Sequence, residues 1–158
     1  MKKKLVFFIS DLTYGGAQRQ LLALAKAIDK EVFEVYVLYY YPDISLEKDL
    51  QNAQIISNCI TKHGRWDLIG FCGRLISYLR QIEPDILHGY LYVPNLFTIV
   101  FKPFLPKTKI VWGIRNSNDS KARDGDWLDA PLALIAAFLS RFAEISSYPI
   151  PMRAKNTA

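Results

Sequence analysis

A doubly wound α/β domain, built on one mostly parallel sheet with helices on both faces, is predicted by three features of this sequence. Short apolar runs at residues 5–9, 33–41, 84–88 and 109–114 carry no helical period and read as buried strands. Between them lie segments whose apolar residues recur at helical spacing. The alternation of the two implies right-handed crossovers and hence a parallel sheet. With 158 residues, 51% of them hydrophobic, the chain is long and apolar enough for one packed core.

Each element has a local cause. Leu5-Val6-Phe7-Phe8-Ile9 forms the first strand, and Asp11 ends the run before it reaches signal-peptide length, although Lys2-Lys3-Lys4 precedes it. Gly15-Gly16 then opens a helix with apolar positions 17, 21, 24, 25 and 28, ending near Lys30. The glycines there supply positive φ and close approach for a ligand. Residues 33–41, rich in Val, Tyr and Phe, make the second strand and are closed by Pro42-Asp43. Residues 45–52 form a helical turn capped by Ser45, and 54–57 a short third strand. A broad apolar face over 66–82 predicts a long covering helix, despite Gly70 and Gly73. Pro84 stands at the entrance of the fourth strand, where its missing amide does least harm. Pro94 opens another helix running to Phe101, and Pro103 and Pro106 break the chain before the fifth strand. A polar loop over 116–126, an apolar helix over 127–142 and the start of a sixth strand at 143–147 complete the domain, read as 1–147. Residues 148–158 have no core-forming pattern and are expected to fray.

Composition narrows the function. The net charge of +5 is mild and dispersed, which points away from nucleic acid and toward phosphates, anionic sugars or a membrane surface. The interrupted stretch 127–142 carries Asp129, Pro131 and Arg141 and falls short of the roughly 20 apolar residues a bilayer span needs. Cys59 and Cys72 fit no metal spacing and read as reduced thiols of a cytoplasmic protein. There is no phosphate-loop motif, no complete dinucleotide fingerprint and no nucleophile elbow. Asp124-Gly125-Asp126 precedes a helix, where Asp126 suits an N-cap better than a metal. No metal is expected.

In doubly wound sheets ligands bind beyond the carboxyl ends of the strands, where strand order reverses. With strands one and four as neighbours, Tyr14-Gly15-Gly16, His88-Gly89-Tyr90 and Arg115-Asn116-Ser117 share one cleft. Helix-terminal amides at Gly15, Gly16 and Ala17, together with the Arg115 guanidinium, suit a phosphate-bearing ligand. Gln18, His88, Tyr90 and Asn116 are the remaining cleft candidates. His88 either serves the cleft or bonds a backbone carbonyl, Arg115 either binds or is solvated, and Tyr90 and Tyr92 either contact substrate or pack. His63 is assigned nothing.

Gly15-Gly16-Ala17-Gln18-Arg19 resembles the Gly-Gly-Ala-Glu-Arg helix opening of family 4 glycosyltransferases, and Pro84-Asp85-Ile86-Leu87-His88-Gly89-Tyr90 resembles their Pro-Asp-Ile-Val-His-Ala-His strand. The fifth strand is similar to that of members with Arg in place of His, here Arg115. The resemblance implies the Rossmann-like amino-terminal domain of a retaining, metal-independent transferase of the two-domain GT-B kind. Such an enzyme moves a sugar from a nucleotide diphosphate donor to a glycan or lipid-linked acceptor. It implies that Gly15 and Gly16 lie against the donor while this half mainly shapes the acceptor site. It also implies a second, nucleotide-sugar-binding domain, expected to be absent from this chain. The expectation is therefore a chain inactive alone, completed by a missing carboxyl-terminal domain or partner chain, in the cytoplasm or peripheral to the inner membrane face. The rival expectation is a non-catalytic binding or assembly module on the same shell.

Overall fold

The computed structural model describes residues 1–42, 45–64, 67–113 and 144–145. Six strands, β1 (Lys3–Ile9), β2 (Phe33–Tyr39), β3 (Ile56–Cys59), β4 (Ile86–Tyr90), β5 (Lys109–Gly113) and β6 (Glu144–Ile145), form one sheet in the order β3-β2-β1-β4-β5-β6. Every neighbouring pair is parallel. The order reverses between β1 and β4, so the predicted switch point exists.

Alternation along the strands separates two cores. Leu5, Phe7 and Ile9 face Leu21 and Ala25 of α1 (Gly16–Ala27) and Leu50 of α2 (Glu47–Asn52). Val6 and Phe8 face the other way, onto Phe71, Leu75 and Leu79 of α3 (Leu68–Ile82) and Phe97 of α4 (Tyr92–Val100). The apolar residues of β1 from Val6 to Ile9 are at most 1% exposed, as a strand covered on both faces requires. Helices therefore cover both faces. Among the described residues no helix is long and apolar enough to cross a membrane.

Local readings needed correction in five places. Leu46, not Ser45, occupies the cap position of α2; it is 2% exposed, and its N–H bonds to Leu12 O, so tertiary anchoring sets where the helix starts. The third strand lies two residues later than expected because Gln54 has φ 55 and belongs to the turn, while pairing with β2 runs from Tyr36↔Ile56 to Tyr39↔Cys59. The long helix starts at Leu68, and Leu68 and Ile69 are exposed, so its buried face is narrower than the apolar pattern. Helix α4 begins at Tyr92, two residues before Pro94, which then sits in the first turn where no intrahelical N–H is needed. Positive φ at Gly15 or Gly16 is not observed; among described glycines it occurs at Gly64. Asp43 of the predicted Pro42-Asp43 closure, the loop 116–126, the helix 127–142, the Asp124/Asp126 pair and the tail 148–158 lie outside the described residues.

Candidate functional site

The β1–α1 connection is held by backbone and side chain together. Ser10 O accepts from the N–H groups of Tyr40 and Tyr41, and Leu12 is 1% exposed beneath the loop. Asp11 accepts from Ser10 Oγ at 2.7 Å, from the Thr13 N–H at 3.1 Å and from Gln18 Nε2 at 3.0 Å. Burial alone would raise the Asp11 carboxyl, but the bonds from Thr13, Ser10 and Gln18 outweigh it and hold the group below the usual range. This residue went unassigned in the sequence, although Asp-Leu-Thr is the signature of a side chain closing a turn on the backbone two residues ahead.

Gly15 occupies the cap position of α1 with φ −113 and ψ 168, extended backbone open to any residue. Its requirement is space: a Cβ there would lie 2.2 Å from Gln18 Oε1. Gly16 is the reverse case, since a Cβ would meet nothing within 4 Å. The first turn of α1 holds no acidic side chain, so its positive end keeps its attraction for an anion. The Ala17 side chain is buried.

Across the switch point, His88 pairs in register with Phe7, and Tyr90 with Gly113 of β5. The imidazole lies between two rings, 5.3 Å from Phe7 and 4.7 Å from Tyr90. It is 8% exposed, and its Nε2 has no hydrogen-bond partner among the described residues, so the carbonyl-bonding reading is not supported there. Burial pushes its pKa down from 6.5 to about 4, so the ring is neutral at pH 7. Tyr90 is a core residue at 6% exposure, which favours the packing reading. Arg115 and Asn116 lie outside the described residues, two and three positions beyond Gly113.

Two further features were not legible in advance. Asn95 of α4 is 3% exposed, and its Oδ1 also lacks a partner among the described residues. Leu91, between β4 and α4, has φ 72 and ψ 171, a region otherwise left to glycine, at the carboxyl end of the strand. By contrast, a cavity of about 530 Å³ lined by Arg80, Glu83, Phe104 and Lys107 among others lies at the amino end of β4 and β5, away from the switch point.

The buried imidazole has a measurable consequence. The unfolded chain takes up the His88 proton near pH 6.5, whereas the folded chain resists it until about pH 4. Stability should therefore fall as pH drops through that window, by about 3 kcal/mol in total. Urea titrations at pH 7 and 4.5 should show a smaller pH difference for His88→Phe than for the parent chain; an equal difference would contradict the burial argument.

Comparison with known proteins places this geometry. The HepE protein of Anabaena, solved in complex with UDP and glucose, superposes with TM-score 0.68 at 15% identity, covering 90% of this chain and 37% of its own. MurG of Acinetobacter baumannii superposes with TM-score 0.60 at 14% identity, covering 94% and 43%. The putative UDP-N-acetylglucosamine 2-epimerase of Listeria monocytogenes superposes with TM-score 0.55 at 17% identity, covering 92% and 39%. Such identities establish a shared fold and no more, since one fold can serve several chemistries. The chain spans less than half the length of each. No curated protein matches it. The family model of Glycosyltransferase Family 4, however, matches residues 14–147, from the glycine junction through the sixth strand. This chain belongs to Glycosyltransferase Family 4.

Proposed function

We propose that this chain is the acceptor-side, amino-terminal half of a retaining glycosyltransferase that moves a sugar from a nucleotide diphosphate donor to a cell-surface or lipid-linked glycan. The observation that carries the reading is the junction at Gly15-Gly16, where the positive end of α1 meets open space beside the β1–β4 switch point. Backbone amides of the first helical turn offer donors to a diphosphate without adding side-chain bulk. The Arg115 cation two residues beyond β5 adds charge stabilisation for the departing phosphate, and no metal is required in this scheme. Gln18, with its buried amide, and the neutral His88 offer hydrogen bonds to sugar hydroxyls rather than charge. The acceptor is held at the inner face of the cytoplasmic membrane, consistent with the basic balance of the sequence.

Transfer needs donor and acceptor oriented together, and entropy makes half of that arrangement ineffective. The purified 158-residue chain is therefore expected to transfer no sugar from UDP-linked donors, as followed by UDP release in the presence of lipid-linked acceptors. Sustained turnover by this chain alone would sink the half-enzyme reading. Nucleotide binding that never yields transfer, even in a protein carrying the complementary domain, would instead favour a binding module.

A further inference from the structure

One carboxylate organises the loop between β1 and α1. Asp11 Oδ1 accepts from the Thr13 N–H, the Thr13 hydroxyl and Gln18 Nε2, and Oδ2 accepts from the Ser10 hydroxyl. An ionised carboxylate has no hydrogen to give, so it accepts the NH2 end of the Gln18 amide and rejects the oxygen end. The oxygen end is accordingly the part of the amide nearest Gly15, within 2.2 Å of where a Cβ would stand, against 3.5 Å for Nε2. Any ligand group that meets that oxygen must bring an O–H or N–H.

We propose that Asp11 is a positioning residue: it locks the Gln18 amide in one orientation and thereby sets the shape and polarity of the Gly15–Gly16 junction. The functional weight of this assignment rests on the donor-site reading above, whereas the geometry itself can be tested alone. The motif this helix resembles has Glu where Gln18 stands. Gln18→Glu would bring two carboxylates to about 3 Å, where they repel or share a proton. Gln18 and Asp11 are thus a matched pair, and changing either one alone unlocks the junction.

The test is NMR of side-chain and backbone amides in the intact chain, with UDP-glucose as the titrant, because its sugar hydroxyls can donate to Gln18 Oε1. In the parent chain one glutamine NH2 pair should stand apart from exposed glutamines such as Gln51 and exchange slowly. Asp11→Ala should return that pair to the exposed position and weaken UDP-glucose binding about tenfold, the size of one positioned hydrogen bond from a sugar hydroxyl to Gln18 Oε1. Asp11→Asn, which keeps an acceptor for Thr13, guards against a variant that fails to fold. Gln18→Glu should weaken binding similarly, and Asp11→Asn combined with Gln18→Glu should restore it to within about threefold, because the pair is rebuilt with its polarity reversed. An unchanged Gln18 resonance in Asp11→Ala, or a double variant no better than Gln18→Glu, would overturn the proposal. If UDP-glucose shifts no amide at Gly15, Gly16 or Ala17 of the parent chain, the donor-site reading falls instead. The Gln18 resonances would still decide whether Asp11 sets the geometry.

Discussion

Gly89→Ala is expected to lower the unfolding free energy by about 2 to 3 kcal/mol, the upper part of the range for overpacking a well-filled core. A Cβ at this position would lie 2.4 Å from Asn95 Oδ1, 3.1 Å from Asn95 Cα and 3.2 Å from Thr98 Cγ2. The first of these neighbours is a side-chain tip, which moves cheaply in an open site. Here it does not, because Asn95 is 3% exposed and Thr98 is fully buried. The clash with the Asn95 backbone demands movement of α4 itself. That movement pulls on a buried chain of bonds in which Trp112 Nε1 donates to Thr98 Oγ1 at 3.0 Å and Thr98 Oγ1 donates to Asn95 O at 2.6 Å. Urea denaturation should show a lower midpoint with an unchanged slope. A midpoint that barely moves would mean that α4 does not press on β4 as described.

The second large effect is functional and should leave the fold intact. Gly16 has open space where a Cβ would project, and its backbone is outside the left-handed region, so the first carbon of a larger side chain meets nothing among the described residues. Gly16→Leu should melt within a few degrees of the parent chain, because removing a glycine from a helix also removes its excess flexibility in the unfolded state. The same side chain would stand in the space assigned to the donor phosphates. In a protein carrying both domains, sugar transfer should fall by about a hundredfold or more, the scale of effect from displacing a reactant by an ångström. Equal stability with undiminished transfer would remove the glycine junction from the donor site. Gly15 cannot serve for this experiment, because its substitution displaces Gln18 and confounds the two effects.

Strand β1 was legible because burial on both faces leaves an unbroken apolar run, and β2, β4 and β5 because short apolar-rich runs are punctuated by Pro42, Pro84, Pro103 and Pro106. Helix α1 was legible from its period. What the sequence did not disclose is mostly non-local. The cap of α2 is decided by an anchor from Leu12, on the far side of α1 and β2. The two glycines of the junction were expected to supply positive φ, and the structure gives them another local role: at Gly15 a Cβ would meet the Gln18 side chain folded back over it, and Gly16 leaves room. No local pattern shows that fold-back. His88 was expected at the end of the fourth strand but lies in the middle of β4, paired with Phe7 and Val111, and its lowered pKa comes from burial, with the rings of Phe7 and Tyr90 beside it. Asp11 is the instructive miss. Its turn signature was readable, but three side-chain donors converging on one carboxylate were not.

The pairing of β1 with β4 also governs when the site comes into being. Lys4 N donates to Asp85 Oδ2, 81 positions further along the chain, whereas β1 and β2 are joined by a single helix. During synthesis the β1–α1–β2 unit can dock as soon as it emerges, but the seam beside it has no partner until β4 follows. Closing so long a loop is entropically costly and is repaid only when many contacts form together, which makes such parallel pairings slow. Over that interval the apolar flank of β1 is uncovered, so the strand at the centre of the finished sheet is, for a nascent chain, its most vulnerable edge.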